Sequence, residues 1–289
     1  MTSQQLPWYV TSETIDKFIS TALLEDIGEG DHSTLAAVPA DAQNQARLIV
    51  KANGILAGVT MALHIFAKVD ASLQVEVLLP DGSPAKYGDI ALIVRGKSQS
   101  ILSAERLVLN CMQRMSGIAT YTHNLNLLIA GTKAKLLDTR KTTPNFRIAE
   151  KWAVIIGGGL NHRFGLYDMV MLKDNHVDYA GSITKAVNAT HAYLKSKNKQ
   201  LDIEVETRNL AEVKEALEVG GVKRIMLDNM SVEMMREAVQ IIGGQCETEA
   251  SGGITHETIF NVASTGVDYI SVGALTHSAG CLDMSLKAF

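Results

Sequence analysis

The spacing of apolar residues in the first third of the chain predicts a small mixed sheet with helices. Apolar side chains recur at helical spacing in residues 11–26, where Ser12 or Thr14 is a suitable N-cap, and again in residues 58–69. Residues 80–82, Pro-Asp-Gly, are turn chemistry and predict a hairpin. Segments rich in β-branched and aliphatic side chains predict strands at 45–57, 73–79 and 86–97.

A long helix is predicted next, from Ser98 as its cap to about Ser116. Within it, Arg106, Asn110 and Arg114 are spaced four residues apart and therefore share one face. That face is either solvated or presented to a ligand or a partner subunit, and the spacing alone leaves both alternatives open.

After Gly117 the pattern changes to short apolar strands that alternate with amphipathic helices. The strand candidates are 134–138, 168–172, 202–206, 223–227, 247–250 and 267–271. The helix candidates between the later strands are 183–195, 210–219, 232–242 and 257–264. Such alternation predicts a parallel sheet, either open or closed into a barrel.

Four polar or glycine residues recur in phase with these strands. Glu206, Asp228, Ser251 and Gly273 each lie at or near a predicted strand end, and about one βα unit separates each from the next. Strands often end in Asp, Ser or Gly for turn chemistry alone. In parallel βα folds, however, ligands bind where the carboxyl ends of the strands converge. Four such residues in phase therefore favour a barrel with a site at that end.

Composition and charge restrict the class of protein. The chain has 289 residues, of which 46% are hydrophobic and 20% charged, and a formal charge of −4 that argues against general nucleic-acid binding. The sequence has no apolar run of 18 residues and no signal-peptide pattern, so we expect no membrane segment and a cytoplasmic location. The cysteines Cys111, Cys246 and Cys281 lack metal or redox spacing and predict buried, reduced thiols.

One stretch carries a local excess of positive charge, although the whole chain is acidic. Residues 137–176 contain six Lys or Arg against four Asp or Glu, together with His162 and His176. These cations lie beside apolar strand-like runs, a pattern typical of a pocket for a small ligand with several negative charges. Arg140, Arg163 and Lys173 are suited to carboxylates, for which arginine offers a bidentate fork.

Other motifs suggest that the same site also binds a phosphorylated sugar and a divalent cation. SGGI at 251–254 and VGALTHS at 272–278 each follow a strand and are predicted to precede a helix, which favours phosphate binding. Glu206 and Asp228 are suited to Mg²⁺, to sugar hydroxyls, or to ion pairs with Lys173 or Arg140. The sequence contains no GxSxG or HExxH motif and no Rossmann glycine pattern, so electrostatic catalysis is expected.

Several long motifs, in order, resemble quinolinate phosphoribosyltransferase almost end to end. They are ERLVLNCMQRMSGIAT, LDTRKTTPNFRIAEKWAV, GGGLNHRFGLYDMVMLKDNH, IEVET, MLDNM, SGGI and DYISVGALTHSA. The chain departs from the family at Asn145-Phe146, where Gly-Leu is more usual, and at Trp152, where Tyr is. These departures concern the packing of a loop and a helix rather than the chemistry.

The resemblance implies a fold and an assembly. It implies an N-terminal α/β sandwich domain, residues 1–116, and a C-terminal open, incomplete α/β-barrel of parallel strands, residues 117–274. The tail, residues 275–289, is expected to pack back on the first domain. The resemblance also implies a homodimer with an active site shared between subunits; whether dimers assemble further stays open.

The resemblance further implies a reaction and the residues that perform it. Quinolinate and phosphoribosyl pyrophosphate would give nicotinate mononucleotide, pyrophosphate and CO₂, with Mg²⁺ as the cofactor. By correspondence, Arg140, His162, Arg163 and Lys173 bind the quinolinate carboxylates, and Arg106 arrives from the neighbouring subunit. Catalytic roles fall to Lys141, on the pyrophosphate side, to Lys173, and to the ribose and metal carboxylates Glu206 and Asp228. The 5′-phosphate cradle corresponds to Ser251, Gly252, Gly253, Gly273 and Ala274.

Two other functions are compatible with parts of this pattern. One is a related transferase of the same fold that acts on a different acceptor. The other is a phosphate-binding protein without catalysis. A binding protein has no need for both a carboxylate clamp and a ribose–metal pair, so the joint presence of both argues against it.

Overall fold

A computed structural model describes residues 6–289, so the first five residues of the predicted N-terminal domain lie outside its description. The chain divides into two compact units. The first contains residues up to 123, 141–158 and 274–289, and the second contains 124–140 and 159–273. The boundary predicted after Ser116 falls inside a continuous helix, and where the folding units divide stays a prediction.

The secondary structure follows the predicted order. The helices are α1 Ser12–Ile27, α2 His32–Ala37, α3 Val59–Val69, α4 Ser98–Leu128, α5 Arg147–Ile156, α6 Asp174–Ala180, α7 Ile183–Ser196, α8 Leu210–Val219, α9 Val232–Ile242, α10 Ile259–Ala263 and α11 Ala274–His277. The strands are β1 Gln43–Val50, β2 Gly54–Ile55, β3 Gln74–Val77, β4 Pro84–Ala85, β5 Ile90–Lys97, β6 Lys135–Leu137, β7 Val170–Leu172, β8 Ile203–Thr207, β9 Arg224–Asp228, β10 Glu247–Ser251, β11 Tyr269–Ser271 and β12 Met284–Ala288.

The first unit is built on a four-stranded antiparallel sheet in the order β12-β1-β5-β3. Strand β12 pairs with β1 over residues 284–288, so the C-terminal tail is part of this sheet. Helix α3 buries Met61, Ile65 and Phe66 completely, as expected for its apolar face. The small antiparallel sheet with helices confirms the predicted class of the N-terminal domain.

The hairpin predicted at residues 80–82 is confirmed in its strands, which pair antiparallel as β3 and β5, but not in its tight turn. Strand β3 pairs with β5, whereas β4, which follows the turn, pairs with β2. The turn instead places Asp81 at the start of α3. Its carboxylate accepts hydrogen bonds from the main-chain N–H groups of Val59, at 2.8 Å, and Thr60, at 3.0 Å. Those donors open α3, whose own N-cap, Gly58, offers no side chain. A residue remote in sequence therefore caps this helix.

Two helix boundaries also differ from the predictions. Helix α1 is capped by Thr11, which forms a capping box with Thr14, rather than by Ser12 or Thr14. Helix α4 continues past Gly117 for a further eleven residues, from 118 to 128. Gly117 is not a helix end: a β-carbon there would clash with the carbonyl of Gly280. The glycine permits close packing of the tail against the helix.

The second unit is a six-stranded parallel sheet in the order β6-β11-β10-β9-β8-β7. Strands β6 and β7, which come first along the chain, occupy opposite edges and do not pair with each other. The sheet is therefore an open α/β-barrel, and this confirms the predicted fold class. Its strands contribute fully buried aliphatic side chains to the core, among them Val205, Ile225 and Leu227.

The predicted burial of the cysteines is corrected at two positions. Cys111 is buried as predicted, but Cys246 is half-buried and Cys281 is exposed, although all three are free thiols. Lys151 in α5 is completely buried, as is Glu150 beside it. Among residues 6–289, no helix is both long and apolar enough to cross a bilayer.

Candidate active site

The four in-phase residues lie at the carboxyl ends of adjacent strands. Glu206 lies in β8, Asp228 ends β9 and Ser251 ends β10, in register with Asp228. Gly273 follows β11 by two residues. Because β8, β9, β10 and β11 are consecutive neighbours in the sheet, the predicted periodicity brings these residues to one end of the barrel.

Glu206 and Lys173 form an ion pair at this end. Lys173 Nζ lies 3.2 Å from Glu206 Oε2; the lysine is half exposed, and the glutamate is buried. Burial raises the pKa of Glu206, the Lys173 ammonium opposes that effect, and the charges of Asp228 and Asp174 add to it. Of the alternatives left open for Glu206, the ion pair with Lys173 is therefore the one present. The excess of negative charge around Glu206 and Asp228 still fits a divalent cation.

The Ser-Gly-Gly loop is shaped by Asn229, the residue that directly follows β9. Gly252 has a φ of +94°, and a β-carbon there would lie 2.2 Å from Asn229 Oδ1, so only glycine fits. Gly253 has a φ of +60° and open space beside it. Asn229 in turn donates to Asp228 Oδ2 at 2.7 Å. The sequence predicted that this loop precedes a helix. The helix α10 begins only at Ile259, so the loop does not lead directly into it.

Two arginines supply positive charge in the same unit. Arg140 follows β6, Arg163 precedes β7, and both are half-buried. Burial lowers the pKa of the Arg163 guanidinium, and the nearby charge of Arg140 lowers it further. Among the described residues, Arg140 Nε is buried without a hydrogen-bond partner. Two guanidinium groups held close together in a half-buried place favour a ligand with more than one negative charge.

A buried aspartate holds the loop that carries these cations. Asp138, which directly follows β6, accepts hydrogen bonds from Asn161 Nδ2 at 2.6 Å and from the main-chain N–H of His162 at 2.9 Å. Asp168 similarly accepts from the main-chain N–H groups of Phe164, at 2.6 Å, and Gly165, at 2.8 Å. The amide of Asn161 therefore helps to shape this loop.

The barrel also contains a buried charged cluster that the sequence pattern did not single out: His162, Glu204, Arg224 and Glu249. His162 Nε2 lies 3.0 Å from Glu204 Oε2 and 3.4 Å from Glu249 Oε2, and Arg224 Nη1 lies 2.9 Å from Glu249 Oε2. Alternation along the strands was the available signal. Glu204 lies two residues before Glu206, and Glu249 two before Ser251, so each shares the face of a predicted site residue.

The ionisation of this cluster follows from its contacts. Burial and the charge of Glu249 raise the pKa of Glu204, whereas burial of Glu249 is outweighed by His162 and Arg224, which lower its pKa. Burial disfavours the imidazolium of His162, but hydrogen bonds to both glutamates raise its pKa to about 9. The main-chain N–H of Arg163 donates to His162 Nδ1 at 2.7 Å.

The remaining predicted site residues belong to the first unit. Arg106 and Lys141 are exposed and Ala274 is half-buried, and their part in the site stays a prediction. Arg114, which shares the predicted polar face with Arg106, is not solvated: it donates to Glu150 Oε1 and to the carbonyls of Thr276 and Ala279. His176 Nδ1 accepts from the Lys173 N–H at 2.9 Å, and exposed His277 contacts Ser278.

Comparison with known families assigns the chain. A model of the quinolinate phosphoribosyl transferase N-terminal domain matches residues 31–116, and a model of the C-terminal domain matches residues 118–287. The chain belongs to the quinolinate phosphoribosyltransferase family. It is 49% identical over 284 residues to the tobacco protein named quinolinate phosphoribosyltransferase [decarboxylating] 1b, an alignment that covers 93% of this chain and 81% of the relative.

More distant members of the family give the same result. A Synechocystis protein named probable nicotinate-nucleotide pyrophosphorylase [carboxylating] is 42% identical, over 97% of this chain and 93% of its own. The crystal structure of NadC from Streptococcus pyogenes superposes with a TM-score of 0.91 at 41% identity, and the match covers 96% of this chain and 97% of that one. Human nicotinic acid phosphoribosyltransferase, at 14% identity and a TM-score of 0.57, shares the fold alone.

Proposed function

We propose that this chain transfers a phosphoribosyl group from phosphoribosyl pyrophosphate to quinolinate with loss of CO₂, giving nicotinate mononucleotide for NAD biosynthesis. The observation that carries the proposal is the pairing of two chemistries in one unit. Carboxylates and a glycine loop end neighbouring strands β8, β9 and β10, and a pair of half-buried arginines accompanies them. Relatives about half identical over 93% of the chain bear the name of this activity.

Arg140 and Arg163 bind the acceptor in this proposal. Quinolinate carries two carboxylates on adjacent ring carbons, and guanidinium groups match carboxylates in charge and geometry. The Lys173 ammonium lies 3.2 Å from the Glu206 carboxylate. In this proposal it therefore lies between the acceptor, quinolinate, and the donor, which Glu206 binds. We assign Lys173 the task of orienting the acceptor carboxylate next to the ring nitrogen.

Glu206 and Asp228 bind the donor. Their carboxylates accept hydrogen bonds from ribose hydroxyls and, together with the Ser251–Gly253 loop, fix the phosphoribosyl group. Mg²⁺ fits the same two carboxylates, because divalent cations of this kind prefer oxygen ligands and the charge of Asp228 adds to that of Glu206. When bound, Mg²⁺ neutralises charge on the pyrophosphate. Lys141, the residue after Arg140, is assigned to the leaving pyrophosphate.

The chemistry then needs no covalent enzyme intermediate. The quinolinate ring nitrogen attacks C1 of the ribose as the C1–oxygen bond to pyrophosphate breaks, and nearby carboxylates stabilise the positive charge that develops on the sugar. The ring nitrogen becomes cationic. The bond from C2 to its carboxylate then breaks, CO₂ leaves, and the electron pair left on C2 is stabilised by the adjacent cationic nitrogen before it takes a proton from water.

The proposal includes the assembly and the location. Arg106 reaches the acceptor site of a neighbouring subunit in a homodimer, which agrees with its exposure on α4. A cytoplasmic location also remains a proposal, since a plant relative is named mitochondrial and another chloroplastic.

A direct turnover assay tests the function. Purified protein is mixed with phosphoribosyl pyrophosphate, Mg²⁺ and either quinolinate or nicotinate, and nicotinate mononucleotide and CO₂ are measured. Quinolinate should be consumed with one CO₂ released per nucleotide formed, and chelation of Mg²⁺ should stop turnover. Turnover of nicotinate without quinolinate turnover would reject the proposal and favour the transferase with another acceptor.

A further inference from the structure

Asn229, which directly follows β9, has a backbone conformation that residues with a side chain seldom adopt. Its φ is +52°, in the left-handed region, where glycine is the least strained residue and asparagine is tolerated. The residue is exposed, so burial in the core does not account for its presence. Because glycine would serve this turn at least as well, the contacts of the Asn229 amide must explain why asparagine is present.

The amide of Asn229 holds the carboxylate of Asp228. Its Nδ2 donates to Asp228 Oδ2 at 2.7 Å. Within the part of the chain that the structure describes, the Asp228 carboxylate has no other hydrogen-bond or ion-pair partner. The charge of Asp228 also acts on Glu206, one strand away, and two carboxylates repel each other. The amide therefore fixes an orientation that this repulsion would otherwise disturb, and it leaves Oδ1 able to accept from a ribose hydroxyl.

The main chain and the amide carbonyl of Asn229 contact the neighbouring strand and loop. Its N–H donates to the Ser251 carbonyl at 2.9 Å, one residue beyond the paired residues Asp228 and Ser251 of β9 and β10. Its Oδ1 lies against Gly252, where a β-carbon would collide with it. One residue therefore contacts Asp228, Ser251 and Gly252, which are all assigned to the donor in the proposed function.

An ordinary turn residue is the rival interpretation of Asn229. Asparagine occurs at left-handed positions because its short side chain can form hydrogen bonds with the local backbone. Asn198, between α7 and β8, occupies such a position, with a φ of +48°, and is exposed as well. The amide of Asn229, however, donates to a carboxylate at the end of a strand rather than to the main chain. The turn itself does not require that contact.

We propose that Asn229 is a positioning residue for phosphoribosyl pyrophosphate. Its amide orients the Asp228 carboxylate towards the ribose, while its main chain and carbonyl keep the Ser251–Gly252 loop at a fixed distance from that carboxylate. Asn229 acts through these residues and does not contact the reacting atoms. The inference rests on the proposed function, which supplies the donor. Removing a partner that orients a binding side chain typically costs about 10- to 100-fold in affinity or activity.

Replacement by glycine separates the amide of Asn229 from its backbone. Asn229→Gly keeps the N–H that donates to Ser251 and accepts a positive φ without strain, but it loses the donor to Asp228. Asn198→Gly is the matched control, because it makes the same change at another exposed, left-handed asparagine, near the amino end of β8. Both variants should have melting temperatures close to that of the wild type. A large fall in Asn229→Gly alone would show a structural role and overturn the inference.

Steady-state kinetics measure the expected effect on the donor. With quinolinate saturating, Asn229→Gly should raise the KM for phosphoribosyl pyrophosphate about 10- to 100-fold. The KM for quinolinate, measured with the donor saturating, should stay at the wild-type value, because Arg140 and Arg163 are unaltered. Asn198→Gly should change neither KM. A wild-type KM for phosphoribosyl pyrophosphate in Asn229→Gly, or an equal rise for both substrates, would overturn the inference.

Asn229→Asp tests the hydrogen-bond donor itself. Aspartate has the shape of asparagine and also tolerates a positive φ, but its ionised side chain only accepts hydrogen bonds and adds a negative charge beside Asp228. Its KM for phosphoribosyl pyrophosphate should rise at least as far as that of Asn229→Gly. A wild-type value would show that no N–H donor is needed at residue 229 and would reject the inference.

Direct binding distinguishes this inference from the proposed reaction. Phthalate has the two adjacent carboxylates of quinolinate but no ring nitrogen, so it can fill the acceptor site without reacting. Phosphoribosyl pyrophosphate and Mg²⁺ are titrated calorimetrically into protein saturated with phthalate, and Asn229→Gly should show the same loss of affinity. Equal affinities of the wild type and Asn229→Gly would overturn the inference even if the reaction occurs.

Failure of the proposed function gives a different result. If the wild type binds the donor but does not turn over quinolinate, the proposed function fails, and the titration still tests the role of Asn229. If the wild type does not bind phosphoribosyl pyrophosphate at all, both the function and the inference are rejected.

Discussion

At the scale of single residues, Arg140 and Arg163 show how a site for an anion can be recognised from the protein alone. A buried guanidinium nitrogen without a hydrogen-bond partner is costly, as is placing two guanidinium groups close together. Arg140 has the first feature among the described residues, and Arg163 has the second. A dicarboxylate would relieve both costs, which gives binding energy to a doubly charged acceptor over a singly charged one.

Arg140→Lys is therefore expected to impair acceptor binding specifically. Lysine keeps the charge but cannot form a bidentate contact, and losing one charge-assisted hydrogen bond costs about 2 kcal/mol, or roughly 30-fold in affinity. Steady-state kinetics should show this increase in the quinolinate KM with little change for phosphoribosyl pyrophosphate. Arg236→Lys, on the exposed face of α9, is the control. An unchanged quinolinate KM in Arg140→Lys would remove Arg140 from the acceptor site.

Glu206, a proposed site residue, is expected to lower the stability of the folded chain when it is ionised. Its pKa is raised on folding, chiefly by burial. A carboxyl group with a raised pKa binds a proton more readily in the folded chain, so its ionised form destabilises the fold above that pKa. The cost develops as the pH rises from the unfolded value, about 4.3 for glutamate, through the folded value.

Glu206→Gln should accordingly be more thermostable than the wild type at pH 7.5, with a difference that shrinks as the pH is lowered towards 4.5. Its kcat/KM should fall by at least about 100-fold, as on removing one electrostatic group from a transition state. Thermal unfolding at several pH values and the turnover assay measure the two effects. Lower stability than the wild type at pH 7.5 would contradict this explanation; Glu218→Gln, at an exposed position of α8, should show neither effect.

At the scale of secondary-structure elements, α4 and α5 are joined by an ion pair that also holds the tail. Glu150 is completely buried and accepts from Arg114, at 3.0 Å, and from both the N–H and the hydroxyl of Thr143. Arg114 also donates to the carbonyl of Thr276, whose hydroxyl donates to the Lys141 carbonyl at 2.8 Å. The loop that carries Lys141 is therefore fixed at two points by this network.

Arg114→Leu is expected to lower the free energy of unfolding by about 3 kcal/mol, because it leaves the Glu150 charge buried without its partner. Urea unfolding measures this change, and turnover should fall as the Lys141 loop loosens. Arg236→Leu, in an exposed position, should change stability by no more than about 0.5 kcal/mol. Equal effects of the two substitutions would show that the Arg114–Glu150 pair is no more important than a surface charge.

The elements themselves were predictable to a large extent, and the exceptions share a physical cause. All six strands of the barrel lie where apolar runs predicted them, because such strands are buried on both faces. The tight turn at residues 80–82 and the end of α4 were mispredicted, because the local turn and glycine signals there serve tertiary contacts instead. Asp81 caps α3, and Gly117 accommodates the Gly280 carbonyl. Such contacts link residues far apart in sequence, and local pattern does not reveal them.

At the scale of the whole molecule, the periodic strand ends were the most informative feature of the sequence. Parallel strands bring equivalent positions to one end of the sheet, so Glu206, Asp228, Ser251 and Gly273 could be grouped by their spacing alone. For the buried cluster of His162, Glu204, Arg224 and Glu249, alternation indicates only that Glu204 and Glu249 share a face with Glu206 and Ser251. It gives no sign of which partners neutralise these charges. The sequence located the chemistry better than the contacts that support it.

The site is also expected to need a second copy of the chain, which mixed dimers can test. Arg106→Ala and Lys173→Ala should each be nearly inactive alone. If Arg106 serves the neighbouring subunit, a mixed dimer has one intact site and one that carries both substitutions. Random exchange in an equal mixture should therefore restore about one quarter of wild-type activity for a two-fold dimer.

The exchange must be demonstrated independently, by tagging one variant and recovering the untagged one with it. Mixing Arg140→Ala with Lys173→Ala is the matched control, because both residues belong to the same unit of one chain and every mixed dimer then has two defective sites. Recovery in the Arg106 mixture alone would establish that Arg106 acts across the dimer. No recovery, despite confirmed exchange, would place Arg106 in the site of its own chain or outside the chemistry altogether.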